Sequence, residues 1–374
     1  MKESATDVIV IGAGMAGASL AWFLAPHLRV TMLEREPFPG FHTTGRSAAH
    51  FSESYGSAQV RALSRATRPF LASPPEGFAA HPLLQPRGSL VIGGAEQAER
   101  VHAEYEAVRA FTPSLRWLRD QDIAALVPVL RPTSAHVAFF EPHSADIDVN
   151  ELHQGFLRGA KAHGALLHVD TDVASLQRDG SDWVVNERWR APVVVNAAGA
   201  WADEIARLGG VLPIGLEPRR RSAFTFAAPT GIDASGWPFV VDIDETFYFK
   251  PDAGLMLGSA ANADPTHPHD VQPEAFDIAL GIHRIEEATT MTIARPVRTW
   301  AGLRSFVADG DLVGGFAPDA DGFFWLAAQG GYGIQTSAAM AEACAAMIMG
   351  RALPAHLVDE GITEAMLGPA RLRV

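Results

Sequence analysis

The sequence predicts an α/β protein in which a parallel, doubly wound sheet is interleaved with a second, α+β unit built on an antiparallel sheet. Three observations carry this. Val8–Ile11 reads as a buried strand, Met15–Leu24 as a helix and residues 30–34 as a second strand, the order by which parallel strands connect. Between that strand and helix lies the glycine-rich turn Gly12-Ala13-Gly14-Met15-Ala16-Gly17. From about Gly215 to Arg298 the pattern changes to short alternating segments (223–227, 239–243, 246–250) separated by Pro and Gly, as in an antiparallel sheet.

The remaining elements follow in order. Pro37, Pro39 and Gly40 end the opening pattern, and the polar loop 41–56 carries Gly45, Arg46, Ser47 and two histidines. Loops of that length are usually functional. Asp148 reads as a helix N-cap with Glu151 three residues on, opening a helix to about His163. Residues 166–173 and Val193–Asn196 read as strands, and 333–350 as a long Ala/Met-rich helix after a glycine cluster. No internal repeat or low-complexity tract is apparent.

Composition bounds the function classes. The 374 residues are 48% hydrophobic and 20% charged, with 34 Gly and 25 Pro, the profile of a soluble globular chain rich in turns. Thirty Lys and Arg against 43 Asp and Glu leave a formal charge of −13, which disfavours nucleic acid and anionic lipid as main partners. The single cysteine, Cys344, excludes an intrachain disulfide framework and a Cys-based metal centre; no metal site is expected. A reducing, cytoplasmic location is expected. The uncharged run 8–26 is about as long as a membrane span. It opens as a β-rich burst, is broken by three glycines, and has Glu3 and Asp7 beside Lys2 where a leader would carry positive charge. We therefore expect strand, turn and helix there, and no transmembrane segment.

The glycine turn has a physical reading. Gly12 allows the tight turn, Gly14 lets the backbone approach a pyrophosphate, and Gly17 lets the helix pack on the sheet. Free N–H groups at the helix start favour phosphate, and Glu34 would accept from a ribose hydroxyl. This Rossmann-like motif alone does not separate NAD from FAD. Two further small-residue turns tilt the choice to FAD: residues 193–201, with Ala198, Gly199 and Trp201, and residues 330–336, Gly330-Gly331-Tyr332-Gly333-Ile334-Gln335-Thr336, again opening a helix. Positive helix-terminal dipoles would stabilise a reduced flavin.

Through these motifs the chain resembles, over its whole length, the FAD-dependent amine and D-amino-acid oxidoreductases, the D-amino-acid oxidoreductase (DAO) family. The resemblance rests on Gly12–Gly17 with Glu34-Arg35-Glu36, Gly45-Arg46-Ser47-Ala48-Ala49-His50, residues 196–201, Thr299-Trp300-Ala301-Gly302-Leu303-Arg304 and 330–336. Within the family it looks most similar to the bacterial D-arginine dehydrogenases, through stretches such as 219–224 and 303–311. The resemblance implies an FAD domain of GR2/DAO type formed by 1–80, 144–214 and 299–374, and a substrate domain formed by 81–143 and 215–298. It also assigns Val173, Gly302 and Arg304 to the cofactor, along with the motif residues just named. Non-covalent FAD is expected because Cys344 lies inside a helix, although a histidyl link through His50 stays open.

The resemblance also implies a catalytic set. Arg304 and Arg221 match positions that hold the substrate carboxylate, a task suited to a planar guanidinium; their neighbours Arg219 and Arg220 are expected to be solvated. Tyr248 and Tyr55 match tyrosines that close over the substrate, His50 would sit near the reactive edge of the flavin, and Gly331 would offer its carbonyl to the amine. Ser52, Ser89, Phe239 and Val241 would line the substrate pocket. The implied reaction transfers a hydride from Cα to flavin N5. The imino acid formed is then hydrolysed to a 2-oxo acid and ammonia, and electrons pass to a quinone, a redox protein or O2. A monomer or homodimer is expected.

The chain departs from the arginine-selective pattern at two points. Ser89 stands where those relatives carry an acidic residue, and Phe239 where they carry a smaller, flexible one. A neutral or apolar D-amino acid is therefore expected over D-arginine, with Glu53 the one residue of the lid loop that would restore a negative charge. Alternatives on the same fold are a secondary-amine (sarcosine- or glycine-type) oxidase, a 2-hydroxy-acid dehydrogenase, or a flavin-binding subunit without turnover.

Overall fold

The computed structural model describes residues 6–373; Lys2 and Glu3, weighed above, lie outside them. Val8–Ile11 is buried along its whole length, as a central parallel strand requires. It pairs in parallel with Val30–Leu33 on one side and Val193–Asn196 on the other. The six-stranded sheet runs Val313–Phe316, Phe323–Ala327, Val193–Asn196, Val8–Ile11, Val30–Leu33, Leu166–His168, and only the first pair is antiparallel.

Alternate residues of the central strand feed two cores. Val8 and Val10 join Leu20, Met340 and Cys344 under the helices, while Ile9 and Ile11 join Trp183, Ile205 and Trp325 on the other face. On the helical side Met15–Leu24 packs against both Val149–Ala162 and Ser337–Ile348. The close approach depends on two glycines. Gly12 sits at φ +97°, and a Cβ there would run into the carbonyl of Ala197; a Cβ on Gly17 would run into the carbonyl of Gly12.

The second unit is a nine-stranded sheet backed by the helix Ala275–Ala288 and a core containing Phe224, Phe249 and Ile285. Most neighbours are antiparallel, but Ser89–Gly93 and Phe239–Asp242 are parallel, because the chain enters this sheet in two separate passages. The strand Arg298–Phe306 is hydrogen-bonded along its length to Glu217–Ala227. The boundary expected at residue 299 thus falls inside a strand of the second sheet, whose far end reaches back into the first unit. A three-stranded sheet of His50–Phe51, Ala145–Ile147 and Leu84–Pro86 fastens the loop 41–56 between the two units.

Local signals behave unevenly. The Asp148 carboxylate accepts from the Glu151 N–H at 2.8 Å, as an N-cap should. Glu151 does not close the box: its carboxylate accepts from the Ala80 N–H at 2.8 Å, tying the helix to the preceding loop. The last long helix begins at Ser337, and residues 330–336 form consecutive turns ahead of it. The run 8–26 divides into strand, turn and helix, and among the described residues no helix is long and apolar enough to cross a membrane.

Candidate active site

A cleft of about 620 Å³ opens beyond the C-terminal ends of the central parallel strands, where ligands bind in sheets of this kind. Gly12, Gly14, Met15 and Ala16 form its floor at the helix N-terminus. The Thr44 hydroxyl accepts from the Met15 N–H at 3.0 Å and joins the wall, a contact between distant segments that no local pattern announces. Glu34 also lines the cleft; its two oxygens accept from the N–H groups of Ala13 at 2.9 Å and Glu36 at 3.0 Å, which fixes the carboxylate in place.

Beyond Glu34 the walls become planar and cationic. The Arg35 guanidinium lies 5.0 Å from the Trp201 ring centroid, the His42 ring packs against the same indole at 4.7 Å, and Val173, Ala198 and Gly199 line the cleft with them. At the opposite end stand Arg46, Ser47, Ala48, Gly302, Arg304, Gly330, Gly331, Gly333 and Ile334. Arg46 has its guanidinium committed elsewhere, to the carbonyls of Val271 and Ala301 and to Asp270 at 2.6 Å, so it anchors the loop to the second unit.

Several residues expected at the cofactor lie outside this cleft. Ala13 and Gly17 are behind it, in the turn-to-helix packing, and Gly45 closes a turn by donating its N–H to the Gly40 carbonyl. The Thr336 hydroxyl donates to the Tyr332 carbonyl within the helix start, and the Tyr332 ring packs on Tyr55 at 5.2 Å. Ala49, His50 and Gln335 line a second cavity instead.

That second cavity, about 370 Å³, shares Ser47, Ala48, Arg221, Tyr248, Arg304, Gly331 and Ile334 with the cleft. It brings together His50, Ser52, Tyr55, Ser89, Phe239 and Val241. His50, Phe239 and Tyr248 stack in series, with centroids 4.5 Å and 5.2 Å apart. The Arg304 guanidinium makes no hydrogen bond or ion pair among the described residues, and a Cβ on Gly331 would fall 2.8 Å from its Nη1. The Arg221 Nε donates to the Asn262 carbonyl at 2.6 Å. Burial, with Arg304 beside it, lowers the Arg221 pKa, while Tyr55, Tyr248 and Glu245 hold that of Arg304 up against burial. Two guanidinium groups without a carboxylate ion pair among the described residues, lining one cavity with Phe239 and Tyr248, are chemically suited to receive an anion.

Glu245 escaped the sequence reading. It lines the second cavity from a turn, at φ +51°, and accepts from the Tyr55 hydroxyl at 3.1 Å; burial, with this carboxylate nearby, keeps the tyrosine protonated. The acidic pair Asp244-Glu245 between the two predicted strands was the available signal. Glu53 lines neither cavity and pairs with Arg68 at 3.2 Å. Glu141 was also missed: buried, it accepts from Ser52 Oγ at 2.7 Å, the Glu53 N–H at 2.8 Å and Ser54 Oγ at 2.5 Å, and so pins the loop that carries Tyr55. Arg220, expected to be solvated, is instead largely buried among Asp264, Glu274 and Asp277.

A glycine-rich turn at a helix start, a fixed acidic residue on the next strand and a long cleft ending beside a guanidinium-lined cavity define a dinucleotide-dependent oxidoreductase. The cradle fits FAD: backbone lies bare where a Cβ would clash, and the cleft continues past the dinucleotide end to a turn able to face a ring system. The family model described as FAD dependent oxidoreductase (DAO) matches residues 7–347, and the chain belongs to that family; FAD is its cofactor. The FAD-dependent oxidoreductase domain-containing protein 1 of Xenopus laevis is 21% identical, covering 92% of this chain and 79% of its own. Glycine oxidase from Geobacillus kaustophilus superposes with a TM-score of 0.81 at 23% identity, over 93% of this chain and 95% of that one. L-proline dehydrogenase from P. horikoshii gives 0.83 at 20% identity, over 99% and 98%.

Proposed function

We propose that this enzyme oxidises a neutral or apolar D-amino acid to the imino acid, which water converts to a 2-oxo acid and ammonia. The observation that carries the reading is the pair Arg221 and Arg304, unmatched by any carboxylate ion pair among the described residues, at the junction of the cofactor cleft and an aromatic cavity. Their guanidinium groups would grip the substrate carboxylate and so fix which Cα hydrogen faces the cofactor. Bound FAD, held non-covalently, would supply the hydride acceptor and pass electrons to a quinone, a redox protein or O2 in the cytoplasm.

The other residues set the pose. The Gly331 carbonyl would receive the substrate amine, and the Tyr55 and Tyr248 rings would close over the substrate. His50, with burial lowering its pKa, is neutral near pH 7 and able to accept a hydrogen bond from the amine. Val91, Phe139, Phe239, Val241 and Ile243 give the cavity apolar surface and Ser89 brings no charge, while the carboxylates that also line it, Glu104, Asp242 and Glu245, are engaged by Arg61, by the Phe247 N–H and by Tyr55. That supports a neutral side chain over the D-arginine taken by the relatives the sequence resembles. The test is a panel of D- and L-amino acids mixed anaerobically with the yellow holoenzyme, following the flavin absorbance. Bleaching by apolar D-amino acids is expected.

A second reading, a small primary or secondary amine such as glycine or sarcosine, is supported by the likeness to glycine oxidase. A cavity of about 370 Å³ favours a larger side chain, and the same panel separates the two.

A further inference from the structure

We propose that Asp146 is a positioning residue for His50: held by Lys250 and Arg87, its carboxylate keeps the imidazole proton on Nδ1 and leaves Nε2 as a free acceptor on the wall of the substrate cavity. The register of the small sheet sets the two residues directly opposite one another, His50 on one strand and Asp146 on the next. Cross-strand partners share a face, so the contact is built into the backbone. His50 Nδ1 lies 3.7 Å from Asp146 Oδ1, and neither ring nitrogen, both buried, has a hydrogen-bond partner among the described residues. Unpartnered polar atoms so deep in a protein are rare and point to a ligand that completes them.

The tautomer follows from charge. A neutral imidazole carries its proton on one nitrogen and a lone pair on the other, and the neighbour of each decides which. Facing Asp146, a lone pair on Nδ1 would be repelled and an N–H attracted. Asp146 stays ionised: burial opposes it, but His50, Lys250 and Arg87 hold its pKa well below the usual carboxylate range. Lys250 Nζ and Arg87 Nε both reach it at 2.8 Å, on different oxygens. Burial is what chiefly disfavours a second proton on the ring, and the Lys250 charge adds to it; Asp146 itself and Glu141, on a strand of the larger sheet, act in the opposite sense. Stacking on Phe239 at 4.5 Å fixes the ring plane.

The consequence for turnover rests on the amino-acid reading above. An α-ammonium entering the cavity would lose a proton to Nε2: one N–H bond breaks, its electron pair stays on the substrate nitrogen, and the imidazolium later returns the proton to water. The freed lone pair is what drives hydride departure from Cα.

The test does not need a substrate. The FAD-loaded enzyme is prepared with labelled histidine, and the His50 signals are identified by their loss in His50→Asn. We expect an Nδ1–H imidazole that stays neutral through pH 7. In Lys250→Met the His50 titration midpoint should rise, and in Asp146→Asn it should fall, each by about one to three pH units. Opposite signs would not arise from general loosening of the fold, and the Lys250→Met arm stands alone should the Asp146 variant fail to fold. An Nε2–H tautomer in the parent protein, or a midpoint that falls in Lys250→Met, overturns the proposal. If the tautomer is as expected while no amino acid bleaches the flavin, the positioning role holds and the substrate reading fails.

Discussion

At the scale of single residues, the site divides into side chains whose type announces their task and side chains recruited by contact. Arg304 and His50 belong to motif stretches and Tyr248 to a position matched by the resemblance, and the three line one cavity. Glu245, Thr44 and Glu141 do not, because each acquires its role from a segment far away in sequence, as when the Thr44 hydroxyl meets the first helix. Two predictions belong here. Replacing Arg304 with Met removes a charge-assisted, two-point contact, and kcat/KM for a D-amino acid should fall by about two to three orders of magnitude, read by anaerobic stopped-flow reduction. In Ser89→Glu a carboxylate is placed beside Phe239, its partner on the neighbouring strand, and kcat/KM for D-arginine should rise by roughly tenfold or more if the guanidinium pairs with it there. No change would move the side-chain pocket elsewhere.

At the scale of elements, the turn from Ile11 to Met15 was fully legible, since strand, glycines and helix start are contiguous and each constrains the next. Gly17→Ala should therefore lose flavin before it loses fold. Its Cβ meets the Gly12 carbonyl and Val10, so the purified variant should be markedly paler per mole of protein. Gly331→Ala makes a contrasting case: the added methyl presses on the Arg304 guanidinium, so KM should rise while the visible absorbance per protein stays close to normal. The strand Arg298–Phe306 was less legible. Its motif pointed to the cofactor, its hydrogen bonds belong to the second sheet, and pairing over such a distance has no local signature. The half-formed capping box teaches the same point, for a Glu at the right spacing found a stronger use at Ala80.

At the scale of the whole molecule, the uncharged run 8–26 resolves into the floor of the cofactor cleft. The charge of −13 remains a property of the surface and says nothing of the cavity, where two arginines meet. Both units meet at the loop 41–56, so cofactor binding should stabilise them together. Adding FAD at about a thousand times its Kd contributes roughly 4 kcal/mol to the folded state, and the apoprotein should melt several degrees lower by calorimetry. The pH dependence is also a property of the assembled site. On the proposed amino-acid oxidation a neutral amine would be the reactive form, so the rate of flavin reduction should rise with pH to a plateau; a flat profile contradicts that requirement.

On the proposed function, the cavity beside the flavin turn takes a D-amino acid by its carboxylate. The most direct test is anaerobic titration of the purified holoenzyme with matched D- and L-enantiomers of apolar amino acids. Loss of the oxidised flavin band with the D-enantiomer, and a 2-oxo acid as product, are expected. Reduction by the L-enantiomer alone, or by sarcosine or a 2-hydroxy acid with no response to any D-amino acid, would contradict it.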